Sequence, residues 1–124
     1  MAHPEFTCSV SVQHLPEQSD PKLRQYAFAY TVTIRNTGDI TAQLIARHWI
    51  IVDAEDHRED VRGLAVVGHQ PVLKPGEEFE YTSWTRIATP HGTMRGTFKC
   101  MTDDAEPFEA PVPEFGLTLA SALH

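Results

Sequence analysis

From Tyr26 to Ile34, every second residue is large and apolar: Tyr26, Phe28, Tyr30, Val32 and Ile34, with Ala27, Ala29, Thr31 and Thr33 between them. A period of two cannot line one side of an α-helix, whose side chains return to the same face every 3.6 residues. It does suit a strand with one face on a core and the other in water. The same alternation recurs at Phe6, Cys8, Val10 and Val12, and again at Met94, Gly96, Phe98 and Cys100. Helical periodicity is almost absent, so the chain must bury its apolar faces by stacking sheets.

Turn residues divide the strands. Pro16 to Pro21 is polar and reads as a loop, and Asn36-Thr37-Gly38-Asp39 predicts a hairpin turn. Ile40 to Val52 is too long for one flat, half-exposed strand and predicts a bend or bulge near Arg47. After a turn at Ala54–His57, Arg58 to Arg62 has the polarity of an edge strand. Gly63 to Pro71 reads as a loop with an apolar centre at Val66 and Val67. Pro75-Gly76 fits the centre of a type II turn. A strand is expected from Phe79 to Ser83, an irregular stretch from Trp84 to Thr93, and a turn from Thr102 to Pro107. Phe108, Ala110 and Val112 share a face of the last strand, which Phe115, Leu117 and Leu119 extend. Its Pro111 and Pro113 lack ladder donors and assign it to a sheet edge. Seven to eight strands with this spacing predict an all-β antiparallel sandwich or barrel.

A length of 124 residues suits one core and one domain. The formal charge of −7 disfavours nucleic acid and anionic membranes as partners, because both select a basic face. No apolar run is long enough to span a bilayer, and the start of the chain lacks a secretory pattern, so a cytoplasmic location is expected. Cys8 and Cys100 form no CxxC pair and are expected as reduced, buried thiols.

Chemistry-bearing patterns are sparse. Gly63-Leu64-Ala65-Val66-Val67-Gly68 approaches a phosphate-binding glycine loop, in which a central glycine lets backbone amides reach the anion. Ala65 takes that central place, and Gln70-Pro71 denies the loop a helix. The reading is chiefly a structural turn, with anion binding as the alternative. Asp53, Asp56, His57, Glu59 and Asp60, and separately Asp103, Asp104 and Glu106, cluster at turns without the spacing of a zinc or calcium site. They leave room only for weak, hydrated magnesium or cobalt contact, and no resident metal or cofactor is expected. Ser83 and Cys100, with His48, His69 or His91 as base, match no nucleophile motif, so no catalytic residue is assigned. Arg47 and Trp49 should share a strand face, with the arginine stem on the ring, or contact to a small anion or a partner peptide, as alternatives. Arg62, Arg86 and Arg95 could add a positive patch.

Several segments carry a resemblance along nearly the whole chain, in order. They include Tyr26 to Asn36, Arg47-His48-Trp49-Ile50-Ile51, Val61-Arg62-Gly63, Val66-Val67-Gly68-His69-Gln70-Pro71, Pro75-Gly76-Glu77, Thr89-Pro90-His91-Gly92-Thr93-Met94 and Pro107 to Pro113. With these the chain resembles the bacterial ApaG family. The resemblance implies one ApaG domain over 1–124 with a fibronectin type III-like or immunoglobulin-like sandwich. It also implies a gene beside a diadenosine tetraphosphate hydrolase, a link to cobalt resistance and magnesium efflux, and kinship with domains of eukaryotic F-box proteins and a DNA-polymerase-interacting protein. The pyrophosphate or nucleotide loop proposed for the family falls on Gly63 and Gly68.

Together these readings point to a non-catalytic module that binds a protein partner, with a homodimer as one form. The alternative is a pyrophosphate or nucleotide sensor built on Arg62, Gly63, Gly68 and His69. A polyphosphate hydrolase ranks behind both.

Overall fold

The computed structural model describes residues 2–119. Eight strands make up most of it: β1 (Phe6–His14), β2 (Tyr26–Asn36), β3 (Ala42–Asp53), β4 (Arg58–Leu64), β5 (Val72–Leu73), β6 (Glu78–Ile87), β7 (His91–Thr102) and β8 (Pro107–Thr118). A three-stranded sheet runs β1-β2-β6. A five-stranded sheet runs β4-β3-β7-β8, and β5 pairs with β3 beyond the end of β4. Every pairing is antiparallel. The two sheets stack as a sandwich, one of the two architectures that the alternation predicted. Among the described residues no helix is long and apolar enough to cross a membrane.

The inward residues meet around Trp49. Its indole packs edge-on against Tyr30 at 5.6 Å, Phe98 at 5.6 Å and Phe115 at 6.1 Å, which ties β2, β3, β7 and β8 together. Edge-to-face ring contacts of this kind add to the gain from burying apolar area. Directly across from Trp49 on β7 lies Gly96, where a Cβ would come within 2.5 Å of the indole Cε3. The missing side chain is therefore what seats the ring. Cys100 is buried and Cys8 half-buried, both as free thiols, and burial pushes each thiol up to about 12.

Several local expectations change. Asn36–Asp39 makes no hairpin, because β2 and β3 belong to different sheets. The segment is a corner held by buried Asn36, whose Nδ2 donates to Ile40 O at 2.9 Å and Leu73 O at 2.8 Å. Asn36 Oδ1 accepts from the Gly38 amide at 2.9 Å. Trp84–Thr93 is mostly regular: β6 continues to Ile87 and β7 begins at His91, with buried Thr89 bridging the Ala54 amide and His91 O. Its residues read as irregular because Pro90 and Gly92 mask the alternation around them. The irregularity expected near Arg47 is present in β3, between Leu44 and Ala46. The turn at Pro75-Gly76 forms as expected, with Gly76 at φ 88° and Glu77 N donating to Lys74 O at 2.9 Å. The proline-bearing β8 lies at a sheet edge, also as expected, and Leu119 falls just beyond it.

Candidate functional site

Register dictates which side chains meet outside the larger sheet. Ala46 pairs with Leu64 on one side and Lys99 on the other, and His48 pairs with Arg62 and Thr97. Lys99 in turn pairs with Glu109 on β8. Since directly opposed residues of an antiparallel ladder share a face, these side chains converge on one surface. They line an open groove of about 570 Å³, floored by Ala46 and rimmed by His48, Arg62, Leu64, Lys99 and Glu109. Leu64, at 72% exposure, is the most exposed large apolar residue of the described chain.

Charge on this surface centres on Asp60. Its carboxylate accepts from Arg58 Nε at 2.8 Å and Nη2 at 3.1 Å, and lies 2.9 Å from His48 Nε2. Arg62 Nη2 stands 3.8 Å away. The Arg58 guanidinium, with His48 behind it, holds the Asp60 carboxyl well below the usual carboxylate range. Lys99 has no ion-pair partner within 4 Å among the described residues. The rim thus carries an excess of cations on a chain whose formal charge is −7.

Gly63 has a structural role in this groove. Arg47, opposite it on β3, lays its guanidinium where a side chain would be: a Cβ on Gly63 would sit 2.8 Å from Nη1. From there Nη1 donates to Leu64 O at 2.9 Å and Ala65 O at 3.0 Å, fixing the exit of β4. Among the described residues a guanidinium–ring stack occurs elsewhere, with Arg86 over Trp84 at 5.4 Å.

The glycine loop folds as a minute hairpin. Val66 and His69 exchange backbone hydrogen bonds of 2.8 and 2.9 Å, and Val67 and Gly68 between them have φ 48° and 80°, as a type I′ turn requires. Val66 is buried, whereas Val67 is exposed. The Ala65 amide donates to Ile45 O, so the loop uses the amides of Ala65, Val66 and His69 for its own fold. Of the four residues expected to hold an anion, Arg62 and Gly63 line the groove. Gly68 is at the turn tip with open space around it, and the His69 ring packs on Phe79 at 5.6 Å. Arg62 and Arg95 lie outside the larger sheet, while Arg86 is on β6 of the other sheet, so the three arginines form no single patch.

Among the acidic clusters, one gathers ligand-type atoms: Asp53, Glu55 and His57, all within 4.8 Å of one another. Asp53 Oδ1 already accepts from the amides of Glu55 at 2.8 Å and His57 at 3.0 Å, and Oδ2 is 3.2 Å from His57 Nδ1. Burial raises the Asp53 pKa, but these donors outweigh it and leave the group below its ordinary value. Glu55 is paired with Arg24. The nucleophile candidates stay apart from the candidate bases: Cys100 Sγ faces Phe98 O, and His48 is bonded to Asp60. A Ser–His contact does exist between Ser19 and His14 at 3.3 Å. There the hydroxyl donates to Leu15 O, so the ring nitrogen must donate to it and cannot act as its base.

Sequence reasoning missed Ala46, Leu64, Lys99 and Glu109. Alternation points Lys99 outward, but that it lies beside Arg62 depends on strand order, which no local pattern carries.

The ApaG domain family profile matches residues 16–102. Protein ApaG of Ralstonia nicotianae is 58% identical over 124 residues, covering all of both chains. Protein ApaG of Bordetella pertussis is 55% identical over 120 residues, covering 97% of this chain and 92% of its own. A crystal structure of a Bordetella pertussis protein described as ApaA superposes with a TM-score of 0.91 at 55% identity, covering 94% of this chain and 95% of the other. A region of Bacteroides uniformis β-glucuronidase 2, 12% identical with a TM-score of 0.56, shares the fold alone. The groove and the sandwich that carries it are those of a small all-β domain. The chain belongs to the ApaG family.

Proposed function

We propose that this ApaG-family chain is a non-catalytic recognition module whose groove takes an acidic segment of a protein partner. The observation that carries the reading is that Arg62 and Lys99 outnumber Glu109 around the small Ala46 floor, next to the exposed Leu64. An acidic side chain would meet the two cations while an apolar neighbour covers Leu64. Such paired polar and apolar contacts are how compact interfaces gain specificity. On this reading the protein works in the cytoplasm, and the link to cobalt resistance and magnesium efflux runs through the partner.

A photo-crosslinking residue at Leu64, introduced in cells, tests it. The expected result is a defined adduct that maps to an acidic segment and is lost with Arg62→Glu and Lys99→Glu. Cells lacking the wild-type gene should recover cobalt tolerance with the unmodified chain but not with that double variant. Adducts insensitive to charge reversal would overturn the reading. So would turnover of diadenosine or nucleoside polyphosphates that one substitution abolishes.

A second reading, pyrophosphate or nucleotide sensing, is favoured by one observation. The Val67 and Gly68 amides, in left-handed backbone at the turn tip, have no backbone acceptor among the described residues. Calorimetry with pyrophosphate and ATP, with and without magnesium or cobalt, should then show binding that weakens in Arg62→Ala. Binding indifferent to that substitution removes this reading.

A further inference from the structure

Apart from the two-residue β5, three of the sandwich's edge strands are guarded and one is not. β8 carries Pro107, Pro111 and Pro113, which deny an incoming strand its donors. β4 carries Arg58, Glu59, Asp60 and Arg62. The β1 edge abuts β8, with Phe6 packed edge-on to Phe108 at 5.4 Å. The middle of β6, from Tyr81 to Thr85, has neither a charge nor a proline, and it bears Trp84 at 57% exposure. An edge whose centre carries neither charge nor proline is a template for another strand.

The ladder shows which β6 groups are free. The Asn36 amide donates to Glu77 O at 2.9 Å, and paired residues alternate from there along β6. Phe79, Tyr81, Ser83 and Thr85 therefore bond β2, while Glu80, Thr82, Trp84 and Arg86 turn their amides and carbonyls to the open side. The side chains of this second set all lie outside the sheet, because Tyr81 and Ile87 of the first set face the core.

We propose that β6 is a self-association edge: two copies of this chain meet antiparallel about a two-fold axis at Ser83, joining their three-stranded sheets into one continuous sheet. What selects a second copy is the edge's charge complementarity to itself. With Ser83 on the axis, Glu80 of each copy lies opposite Arg86 of the other, and Thr82 lies opposite Trp84. Outward residues then meet outward residues, as a continuous sheet demands, and both opposite-charge pairs form at once. The Trp84 indoles become diagonal neighbours across the axis and cover each other. Arg86 is already held over its own Trp84 at 5.4 Å, close to where the second copy's Glu80 would arrive.

The test is sedimentation of the full chain over a concentration series, with circular dichroism melts as a check of folding. The expected result is a concentration-dependent dimer. Glu80→Arg and Arg86→Glu, each alone, should weaken it at least tenfold by setting like charges opposite each other. The double variant should restore association to within about threefold of the original, because it rebuilds the pairs with signs exchanged. Should a charge variant fold poorly, Trp84→Ala, which removes an exposed side chain, must weaken the dimer. A chain that stays monomeric at every concentration overturns the proposal, including one that instead accepts an extended peptide along β6. A dimer indifferent to the single substitutions, or one the double variant does not restore, overturns it equally.

Discussion

The outer faces of the two sheets use the same antiparallel geometry to opposite ends. On the five-stranded sheet, His48, Arg62 and Lys99 rim a floor of one alanine, with Asp60 and Arg58 further along β4, so charge is concentrated and partly unmatched. On the three-stranded sheet, Thr31 bonds Thr82 at 2.8 Å, Thr33 reaches Glu80 at 3.1 Å and Arg35 pairs with Glu78 at 3.1 Å. There Thr31, Thr33 and Arg35 are each answered by a neighbour on β6. The difference is one of pairing: Lys99 in the groove keeps no ion partner within 4 Å among the described residues, whereas Arg35 and Glu78 hold each other.

Both faces rest on one core, and the largest expected effect removes the comparison altogether. Trp49→Ala takes the ring from the shared centre and should cost about 3–5 kcal/mol in denaturant unfolding. Groove and β6 face should be lost together; survival of either would show that the sheets are stable apart.

Gly63→Ala should separate the two faces. The added methyl displaces the Arg47 guanidinium from Leu64 O and Ala65 O, at about 1–3 kcal/mol for the released carbonyl contacts. Amide exchange should quicken at Ala65 and Val66 and stay unchanged along β6.

Asp60 sharpens the contrast through pH. Its folded pKa is depressed by Arg58 and His48, so the unfolded chain takes up the proton first as pH falls. The stabilising contribution is complete above the ordinary aspartate range near pH ~3.9 and is lost progressively below it. Asp60→Asn should lower stability at neutral pH and flatten the acid limb of a melting-temperature profile. An acid limb identical to the wild type would detach Asp60 from the charge cluster.

The smallest effect is expected on the outer face of the three-stranded sheet. Thr82→Ala removes one exposed hydroxyl pair with Thr31 and should cost less than about 1 kcal/mol. A larger loss would mean that this face carries more of the fold's stability than its exposure suggests.

What was legible in the sequence was whatever depends on neighbours along the chain. The alternation in Tyr26–Ile34 revealed β2 and its inward face, Pro75-Gly76 revealed its turn, and Pro111 with Pro113 placed β8 at an edge. What was hidden depends on neighbours across the sheets. Asn36 reads as a hairpin residue because its side chain suits any tight turn; only strand order shows that it staples a crossing between sheets. Gly63 reads as a turn glycine with a phosphate loop as the alternative; only when β4 is laid beside β3 does the room it leaves for Arg47 come into view. Lys99 and Glu109 enter the groove through β7 and β8, and nothing near Arg62 in the chain foretells them.

Strand order also has a consequence for synthesis. Tyr26 of β2 pairs with Ile87 of β6, so the strands β3, β4 and β5 of the other sheet are made between the second and third members of the smaller one. As the chain leaves the ribosome, the β1–β2 hairpin must wait with one flank bare until that distant segment emerges. Such long-separation pairing slows folding and lengthens the exposure of sticky intermediates. The nascent polypeptide is therefore most vulnerable to mispairing, and most in need of chaperone cover, in the interval before residue 87 clears the exit tunnel.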